Sequence, residues 1–357
     1  MHAIHFRFIT MNKGATYKSA GVDVGKADAL IARLKGRIQG TFNPYVMSPI
    51  GAFAALTEIP KEYKNPVLVT ATDGVGTKLR IAFASGKHDT VGIDLVAMSV
   101  NDVLTVGARP FFFLDYFACG KLEEHVYADV LSGICAGCEI AGCALVGGET
   151  AEMPSFYGDG EYELAGFVTA FVEKDGIIDG STIQAGDRLI GLASNGLHSN
   201  GFSLVRNVFF ERHKLSVHDE VAGLKGKLYE ELLRPTRIYV KTILALKEKF
   251  QIKGMAHITG GGLPGNVSRI IPDGLRARMS ISKGPPEVFK AIMRMGDVSR
   301  DEMYATFNMG IGFVLVVKEE DEAAAIKELV ALGEEAFSLG AIEKTDDEQR
   351  VILTHTA

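Results

Sequence analysis

Residues 310–342 read GIGFVLVVKEEDEAAAIKELVALGEEAFSLGAI, and this stretch decides the fold class. The apolar run at 310–317 is rich in β-branched side chains and predicts a buried strand. Residues 319–332 predict an amphipathic helix, and residues 337–342 predict a second strand. A strand, a helix and a strand in this order form a β-α-β unit. The fold is therefore expected to be α+β of the α/β type.

The same alternation continues along the rest of the chain. It predicts strands at 67–73, 110–117, 144–149, 162–173, 188–193, 253–259 and 350–354, and helices at 92–107, 123–142, 201–211, 236–250 and 285–295. A polar stretch at 174–186 contains two Asp-Gly turns and marks a domain boundary. We therefore expect an N-terminal extension at 1–16, an N-terminal domain at 17–175 and a C-terminal domain at 176–357, in keeping with a length of 357 residues.

Composition excludes several classes of protein. Lys and Arg total 38 and Asp and Glu total 44, so the net charge is −6 and the basic footprint of a nucleic-acid binder is missing. No apolar run reaches the roughly 18 residues of a membrane span, and the N-terminus does not resemble a secretory signal. The four cysteines, between Cys119 and Cys143, are interpreted as small packing residues rather than a zinc site. We expect a cytoplasmic protein with neither nucleic-acid nor membrane partners.

The first candidate binding segment is TDGVGTK at 72–78. Asp73 ends a strand, and Gly74 and Gly76 let backbone amides approach an anion, while Thr77 and Lys78 add a hydroxyl and a positive charge. The segment is neither a Walker A loop nor a Rossmann fingerprint. A hairpin turn with an exposed lysine is the alternative interpretation.

The apolar helix predicted at 92–107 contains three polar residues. Asp94 and Asn101 are two turns apart on one face, and Asp102 lies about 80° round from Asp94. Asp94 lies near the helix N-terminus, where a carboxylate is favoured simply by the dipole. Asn101 and Asp102 lie among apolar residues and need a partner, for which Mg²⁺ is a plausible choice.

A third segment, GGETAEMP at 147–154, follows a buried strand. A carboxylate at the end of that strand, Glu149 after Gly148, would complete a metal site with the other acids. A tight turn with a surface glutamate explains the octapeptide equally well.

Two further segments in the second half suit a phosphorylated ligand. SNGLHSNG at 194–201 joins a strand to a helix, and its His198, Ser199 and Asn200 supply donors beside a helix N-terminus. His198 is a candidate for proton transfer, although a lone loop histidine is usually only solvated.

HITGGGLPGN at 257–266 again runs from a strand into glycines. Gly260, Gly261 and Gly262 form a candidate phosphate cradle, because an ordinary turn needs only one or two glycines. His257 is either a ligand contact or a satisfied core histidine. Taken together, the five segments indicate a phosphorylated ligand bound between two domains.

With these motifs together, the chain closely resembles the family of phosphoribosylformylglycinamidine cyclo-ligases, or aminoimidazole ribonucleotide synthetases. The resemblance covers residues 17–351 and includes YKSAGVD at 17–23, FFLDY at 112–116, MYATFNMGIG at 303–312, residues 197–206 and 235–241, and the segments above. Selenophosphate synthetase, thiamine-monophosphate kinase and a hydrogenase-maturation dehydratase are related alternatives. They are disfavoured because the chain lacks an early reactive cysteine, a Gly-Gly-Asp loop and a C-terminal cysteine, respectively. Residues 1–10 have no family counterpart.

The resemblance implies ATP-dependent cyclisation of formylglycinamidine ribonucleotide to 5-aminoimidazole ribonucleotide, with release of ADP and phosphate. It implies a two-domain ATP-binding synthetase fold that forms a homodimer through its N-terminal domains, with a C-terminal α/β domain. A nucleotide-binding protein without turnover is the non-enzymatic alternative. It is disfavoured because Asp73, Asp102 and Glu149 are all present.

The resemblance also implies a set of site residues. For ATP they are Asp73, Gly74, Gly76, Thr77, Lys78, Asp94, Asn101, Asp102, Gly148 and Glu149. Triphosphate carries about four negative charges, so Mg²⁺ is expected on Asp73, Asp94, Asp102 and Glu149. A monovalent cation is the other cofactor considered. Ser199, Asn200, Gly260, Gly261 and Gly262 are expected to hold substrate, and His198, His257 and Lys78 are the catalytic candidates. Lys18 and Lys35 either close over the phosphates or are surface residues.

Overall fold

A computed structural model describes residue 21 and residues 24–355. Lys18, residues 1–10 and the extension at 1–16 lie outside the described residues. The described chain is built on two β-sheets, one of four strands and one of six.

The four-stranded sheet lies in the first half with its helices. The elements are α1 Val24–Gln39, β1 Pro66–Gly74, α2 Leu79–Ser85, α3 Val91–Leu104, β2 Arg109–Cys119, α4 Glu124–Ala141, β3 Ala144–Glu152 and β4 Tyr162–Glu173. The strand order is β1-β4-β2-β3. Only β2 and β3 pair in parallel, because α4 crosses over between them. A Cβ at Gly92 would lie 2.2 Å from the Val130 carbonyl oxygen, so glycine is required where α3 crosses α4.

One face of this sheet is open. Leu68 on β1, Leu114 on β2 and Phe167 on β4 are 58%, 40% and 44% exposed. The phenylalanines of β2 itself are buried. Phe111 and Phe112 pack in a small cluster with Tyr45 and Tyr63. Phe113 and Phe117 pack in the main core. The apolar character of the open face therefore comes from three strands and not from the Phe-rich strand alone.

The second half forms the six-stranded sheet. Its elements are β5 Arg188–Ala193, α5 Phe202–Arg206, α6 Leu228–Leu232, α7 Val240–Lys247, β6 Gly254–His257, α8 Gly262–Val267, β7 Leu275–Ile281, α9 Glu287–Gly296, α10 Arg300–Thr306, β8 Ile311–Val317, α11 Glu322–Ala331, β9 Ala336–Lys344 and β10 Val351–His355. The order is β10-β7-β9-β5-β8-β6. Since β5 pairs antiparallel with both β8 and β9, the predicted β-α-β unit is a split one. None of the described helices is long and apolar enough to cross a membrane.

Two predicted helices differ from the structure. The helix expected at 236–250 begins only at Val240, and in the segment before it the backbone amides of Thr236 and Tyr239 donate to side chains of α3. The helix expected at 201–211 is α5 followed by a π-helical segment, Asn207–Arg212. The elements α1, α2, α6, β7 and α10 were not predicted.

Candidate active site

A direct contact between the two halves marks the centre of the candidate site. The Asp102 carboxylate, in the last turn of α3, accepts a hydrogen bond from Nδ1 of His257 on β6 at 2.9 Å. The His257 side chain is buried, whereas the Asp102 side chain is 44% exposed. A carboxylate at a helix C-terminus is opposed by the helix dipole, so its position is not explained by helix stability. Asp102 orients His257 and still presents its carboxylate to a ligand.

His198 lies on the loop that follows β5 and is fully buried. Its Nε2 accepts hydrogen bonds from the backbone amides of Asn195 at 3.0 Å and Arg237 at 3.4 Å. Burial holds the pKa of His198 well below its usual range, and the nearby cationic groups His257, Lys78 and Arg237 lower it further. The prediction of a solvated loop histidine is therefore excluded.

Three buried polar atoms near these loops have no protein partner: Nδ1 of His198, Nε2 of His257 and Nδ2 of Asn200. The loops that carry them are adjacent, since the ideal Cβ position at Gly260 lies 3.7 Å from Oδ1 of Asn200. The ring of His198 lies against Gly312. The next residue of β8, Phe313, is the register partner of His257 on β6. Buried polar atoms are nearly always paired in proteins, so these three point to a ligand or ordered water.

The predicted substrate residues lie on the same two loops. Ser199 Oγ donates to the Val75 carbonyl oxygen at 3.4 Å, which places this loop beside the first-half loop 72–78. Gly261 and Gly262 have positive φ, and a Cβ at Gly262 would lie 1.8 Å from the Tyr304 carbonyl oxygen. The glycine at 262 is therefore required by packing, and its role in binding substrate stays a prediction.

Asp73 ends β1 and is partly buried. The amide of Gly74 donates to its Oδ1 at 2.7 Å. Burial raises the pKa of Asp73, and the negative charge of Asp102 raises it further. Two carboxylates that disfavour each other's charge would be relieved by a cation between them. Gly76 and Thr77 follow in an exposed 3₁₀ turn, as expected of a loop that meets a ligand.

The structure corrects the roles expected for Lys78 and Asp94. Both side chains are fully buried and pair with each other, with Lys78 Nζ 2.8 Å from Asp94 Oδ2. Lys78 also donates to the carbonyl oxygens of His198 and Arg234, so the three protons of its ammonium have partners. Asp94 Oδ1 accepts from the amide and hydroxyl of Thr236, both at 2.7 Å. The pair joins the two halves and is closed to phosphate and to Mg²⁺.

Asn101 is corrected in the same way. Its Nδ2 donates to the Arg237 carbonyl oxygen at 2.8 Å, and its Oδ1 accepts from the Tyr239 amide at 3.1 Å. The partner that a buried asparagine needs is thus the backbone of the second half, not a metal ion.

The four predicted metal ligands also fail to form one cluster. Among residue 21 and residues 24–355 there is no group of three or more His, Cys, Asp or Glu side chains placed to hold a metal ion. Asp94 is used by Lys78, and Asp73 and Asp102 remain near each other. Gly148 and Glu149 instead line an open groove of about 1270 Å³, together with the segment 49–55 and Asp115. Lys35 is exposed on α1.

Asp115 was missed by the sequence analysis. It is buried on β2 opposite Gly148, where a Cβ would lie 2.2 Å from Asp115 Oδ1. Burial raises the pKa of Asp115 to about 7, and only its own backbone amide opposes this. The signal was present, since a single carboxylate interrupts the apolar run FFFLDYF at 111–117.

Replacing Asp115 with Asn should stabilise the protein at pH 8 and have little effect at pH 4. The folded state holds a proton up to about pH 7, whereas the unfolded carboxyl releases it near its ordinary value of 3.8. Stability contributed by Asp115 therefore falls as pH rises between these values, by at most about 4 kcal/mol. Urea unfolding across this range measures the difference, with exposed Asp89→Asn as control. A wild-type protein more stable than Asp115→Asn at pH 8 would contradict the prediction.

Other residues that build the site were also missed. Asn308 holds the turn of the 194–201 loop by donating to the Gly196 carbonyl oxygen at 3.0 Å and accepting from Ser194 Oγ. Asn195 Nδ2 donates to the Pro235 carbonyl oxygen at 3.0 Å. Buried asparagines within loops were the available signal, because each needs several hydrogen-bond partners.

Comparisons with known proteins place the chain in a family. The model described as "AIR synthase related protein, N-terminal domain" matches residues 52–172, and the corresponding C-terminal domain model matches residues 184–352. A protein of Myxococcus xanthus (strain DK1622) named phosphoribosylformylglycinamidine cyclo-ligase is 53% identical over 342 residues, which cover 95% of this chain and 99% of that protein.

Two solved structures share the fold at low sequence identity. A thiamine-monophosphate kinase from Stenotrophomonas maltophilia K279a has a TM-score of 0.66 at 20% identity, covering 91% of this chain and 95% of that one. The hydrogenase maturation protein HypE, in complex with ATP, has a TM-score of 0.63 at 16% identity, covering 92% and 91%. These likenesses confirm the expected fold class.

Proposed function

The chain belongs to the phosphoribosylformylglycinamidine cyclo-ligase family, and on that premise we propose that ATP and formylglycinamidine ribonucleotide meet between its two halves. The protein is an ATP-dependent ligase of purine biosynthesis. It closes the imidazole ring by forming a C–N bond and yields 5-aminoimidazole ribonucleotide, ADP and phosphate.

The difficulty of this reaction is the formyl oxygen, which is a poor leaving group. Transfer of the γ-phosphoryl group of ATP to that oxygen gives an iminophosphate. An amidine nitrogen then attacks the same carbon, and phosphate leaves with the oxygen. The protein mainly has to position the two substrates and neutralise charge.

The residues at the junction of the two halves suit these tasks. His257, oriented through Nδ1 by Asp102, presents Nε2 as an acceptor for the proton that the attacking nitrogen loses. His198 and Asn200 present unpaired nitrogens beside it and would bind the formyl oxygen. Ser199, Gly260, Gly261 and Gly262, on the same loops, would contact the rest of the substrate.

Asp73 and Asp102 would hold Mg²⁺ together with the phosphates of ATP. Mg²⁺ bound with nucleotide commonly uses only one or two protein carboxylates, with phosphates and waters completing its shell, so a larger cluster is not needed. The negative charge of Asp102 contributes to the raised pKa of Asp73, which fits a cation there. When bound, the ion neutralises charge on the transferred phosphoryl group. Gly74, Gly76 and Thr77 would approach the phosphates, and Gly148 and Glu149 would line the nucleotide groove.

The observation that carries this proposal is the set of three unpaired buried nitrogens next to the Asp102–His257 contact. The test is ATP-dependent phosphate release with formylglycinamidine ribonucleotide, thiamine monophosphate or selenide as second substrate. Release is expected only with the first. Release with another substrate, and none with the ribonucleotide, would contradict the proposal.

We also propose that the protein is a homodimer that pairs through the open face of the first sheet. Light scattering should give twice the chain mass of 38.5 kDa at micromolar concentration. Phe167→Asp, in the middle of this face, should give a monomer because it buries a charge in the interface. Val330→Asp on α11, where the side chain is 55% exposed against 44% for Phe167, is the control and should stay dimeric. A monomeric wild type, or a dimeric Phe167→Asp variant, would contradict this assignment.

A cytoplasmic location is proposed on the basis of the cysteines. Cys119, Cys135, Cys138 and Cys143 are all free and buried, as is usual for a protein of a reducing compartment.

A further inference from the structure

We infer that His198 acts in ring closure as a neutral hydrogen-bond donor through Nδ1, and not as an acid or a base. The inference rests on the proposed function, because the acceptor it addresses is the formyl oxygen of the substrate. It separates the two catalytic histidine candidates into different roles.

The hydrogen bonds at Nε2 decide which ring nitrogen carries the proton. Two backbone amides, those of Asn195 and Arg237, point at this atom. A backbone N–H can only donate, so Nε2 must offer its lone pair and the neutral ring carries its proton on Nδ1. Protonation of Nε2 would set a third N–H against these two donors.

The fully buried His198 is held by its surroundings. His198 has a left-handed backbone with φ of 61°, and Lys78 Nζ donates to its carbonyl oxygen at 3.0 Å. On one side, an ideal Cβ at Gly312 would lie 2.6 Å from Cε1, and on another the Tyr239 ring centroid is 6.5 Å away. The loop and the ring are therefore held in one arrangement.

The charges that act on His198 also disfavour the imidazolium. Lys78 and Arg237 are cations, and His257 adds a further positive charge when protonated. The nearby carboxylates have other partners: Asp94 pairs with Lys78, and Glu334 pairs with Arg237. The Tyr239 hydroxyl donates to the Ala193 carbonyl oxygen. Burial also lowers the pKa of His198, as the nearby positive charges do.

The Nδ1–H donor is thus ready but unsatisfied. An unsatisfied buried donor is unfavourable, and a ligand oxygen at this position would satisfy it. A fixed neutral donor stabilises charge that develops on an oxygen without a proton being transferred. Nδ2 of Asn200, which is also unpaired, is the natural second donor.

Three substitutions test the role of Nδ1. His198→Ala should lower kcat/KM for the ribonucleotide substrate by roughly 10²-fold, while calorimetry shows ATP affinity little changed. His198→Asn places an amide N–H near the Nδ1 position and tolerates the left-handed backbone, so it should recover about tenfold of the loss. His198→Gln, whose amide lies nearer the Nε2 position, should not. An Asn variant no better than Ala, with both folded, would overturn the inference.

A second readout does not depend on activity. Nitrogen-15 NMR of the histidine-labelled, unliganded protein should show His198 protonated on Nδ1 alone and unchanged between about pH 5.5 and 8.5. Protonation on Nε2, or a titration within this range, would overturn the inference. If the phosphate-release assay fails while this NMR result holds, the proposed substrate is wrong and the tautomer is right.

Discussion

Asp102→Asn should lower kcat by roughly 10³-fold and leave the fold nearly intact. The substitution keeps an oxygen that can accept the hydrogen bond from His257 but removes the negative charge. In the mechanism we propose, that charge acts twice, once to stabilise a protonated His257 and once to hold Mg²⁺ with ATP. Since the side chain is 44% exposed and lies in the last turn of α3, losing the charge costs the fold little.

The measurement is steady-state turnover at saturating ATP and ribonucleotide, with thermal unfolding in parallel. Asp89→Asn removes an exposed carboxylate that pairs only with Lys87 at the surface and should behave as wild type. Near-normal turnover of Asp102→Asn at millimolar Mg²⁺ would show that Asp102 is not a metal ligand.

Lys78→Met should lower the free energy of unfolding by about 3–5 kcal/mol, because it leaves the Asp94 carboxylate buried without its counter-ion. The lost hydrogen bonds to the carbonyl oxygens of His198 and Arg234 would also loosen the substrate loop. Activity should therefore fall together with stability. A lysine that served only to bind phosphate would instead lower ATP affinity and leave stability unchanged.

A double variant separates these two outcomes. Lys78→Met combined with Asp94→Asn removes both charges but keeps an acceptor for Thr236, so it should be more stable than Lys78→Met alone. Lys87→Met, which breaks an exposed pair with Asp89, is the control and should change stability little. Chemical denaturation of the wild type, of Lys78→Met, of Asp94→Asn and of the double variant measures the coupling between the two side chains. An unchanged midpoint for Lys78→Met would contradict the structural role.

The elements that the sequence predicted well are those whose residues all have the same environment. All seven residues of β8 are buried, so its apolar run was visible in the sequence. β7 was missed because its Arg276 and Arg278 side chains pair with Glu343 on the neighbouring strand, which gives it a polar appearance. The helix expected at 236–250 starts only at Val240, and the segment before it is held by hydrogen bonds to residues of α3 that lie more than 130 positions away in the chain, which no local pattern could show.

The site was predictable to the level of loops but not of partners. Segments of the two halves that were expected to share one site do contact each other at Asp102 with His257 and at Val75 with Ser199, whereas Glu149 lines a separate groove. Residue type alone could not distinguish a lysine that meets phosphate from one that is buried against Asp94. The environment of Lys78 depends on how the two halves pack, and a local sequence pattern cannot predict that packing.

We propose that phosphoryl transfer to the formyl oxygen drives ring closure between the two halves. Its most direct test uses formylglycinamidine ribonucleotide carrying ¹⁸O in the formyl group, with mass analysis of the phosphate released in a single turnover. If the account is correct, the label appears in phosphate, with one ADP formed for each imidazole ring. Label that is absent from the phosphate while rings form would contradict it.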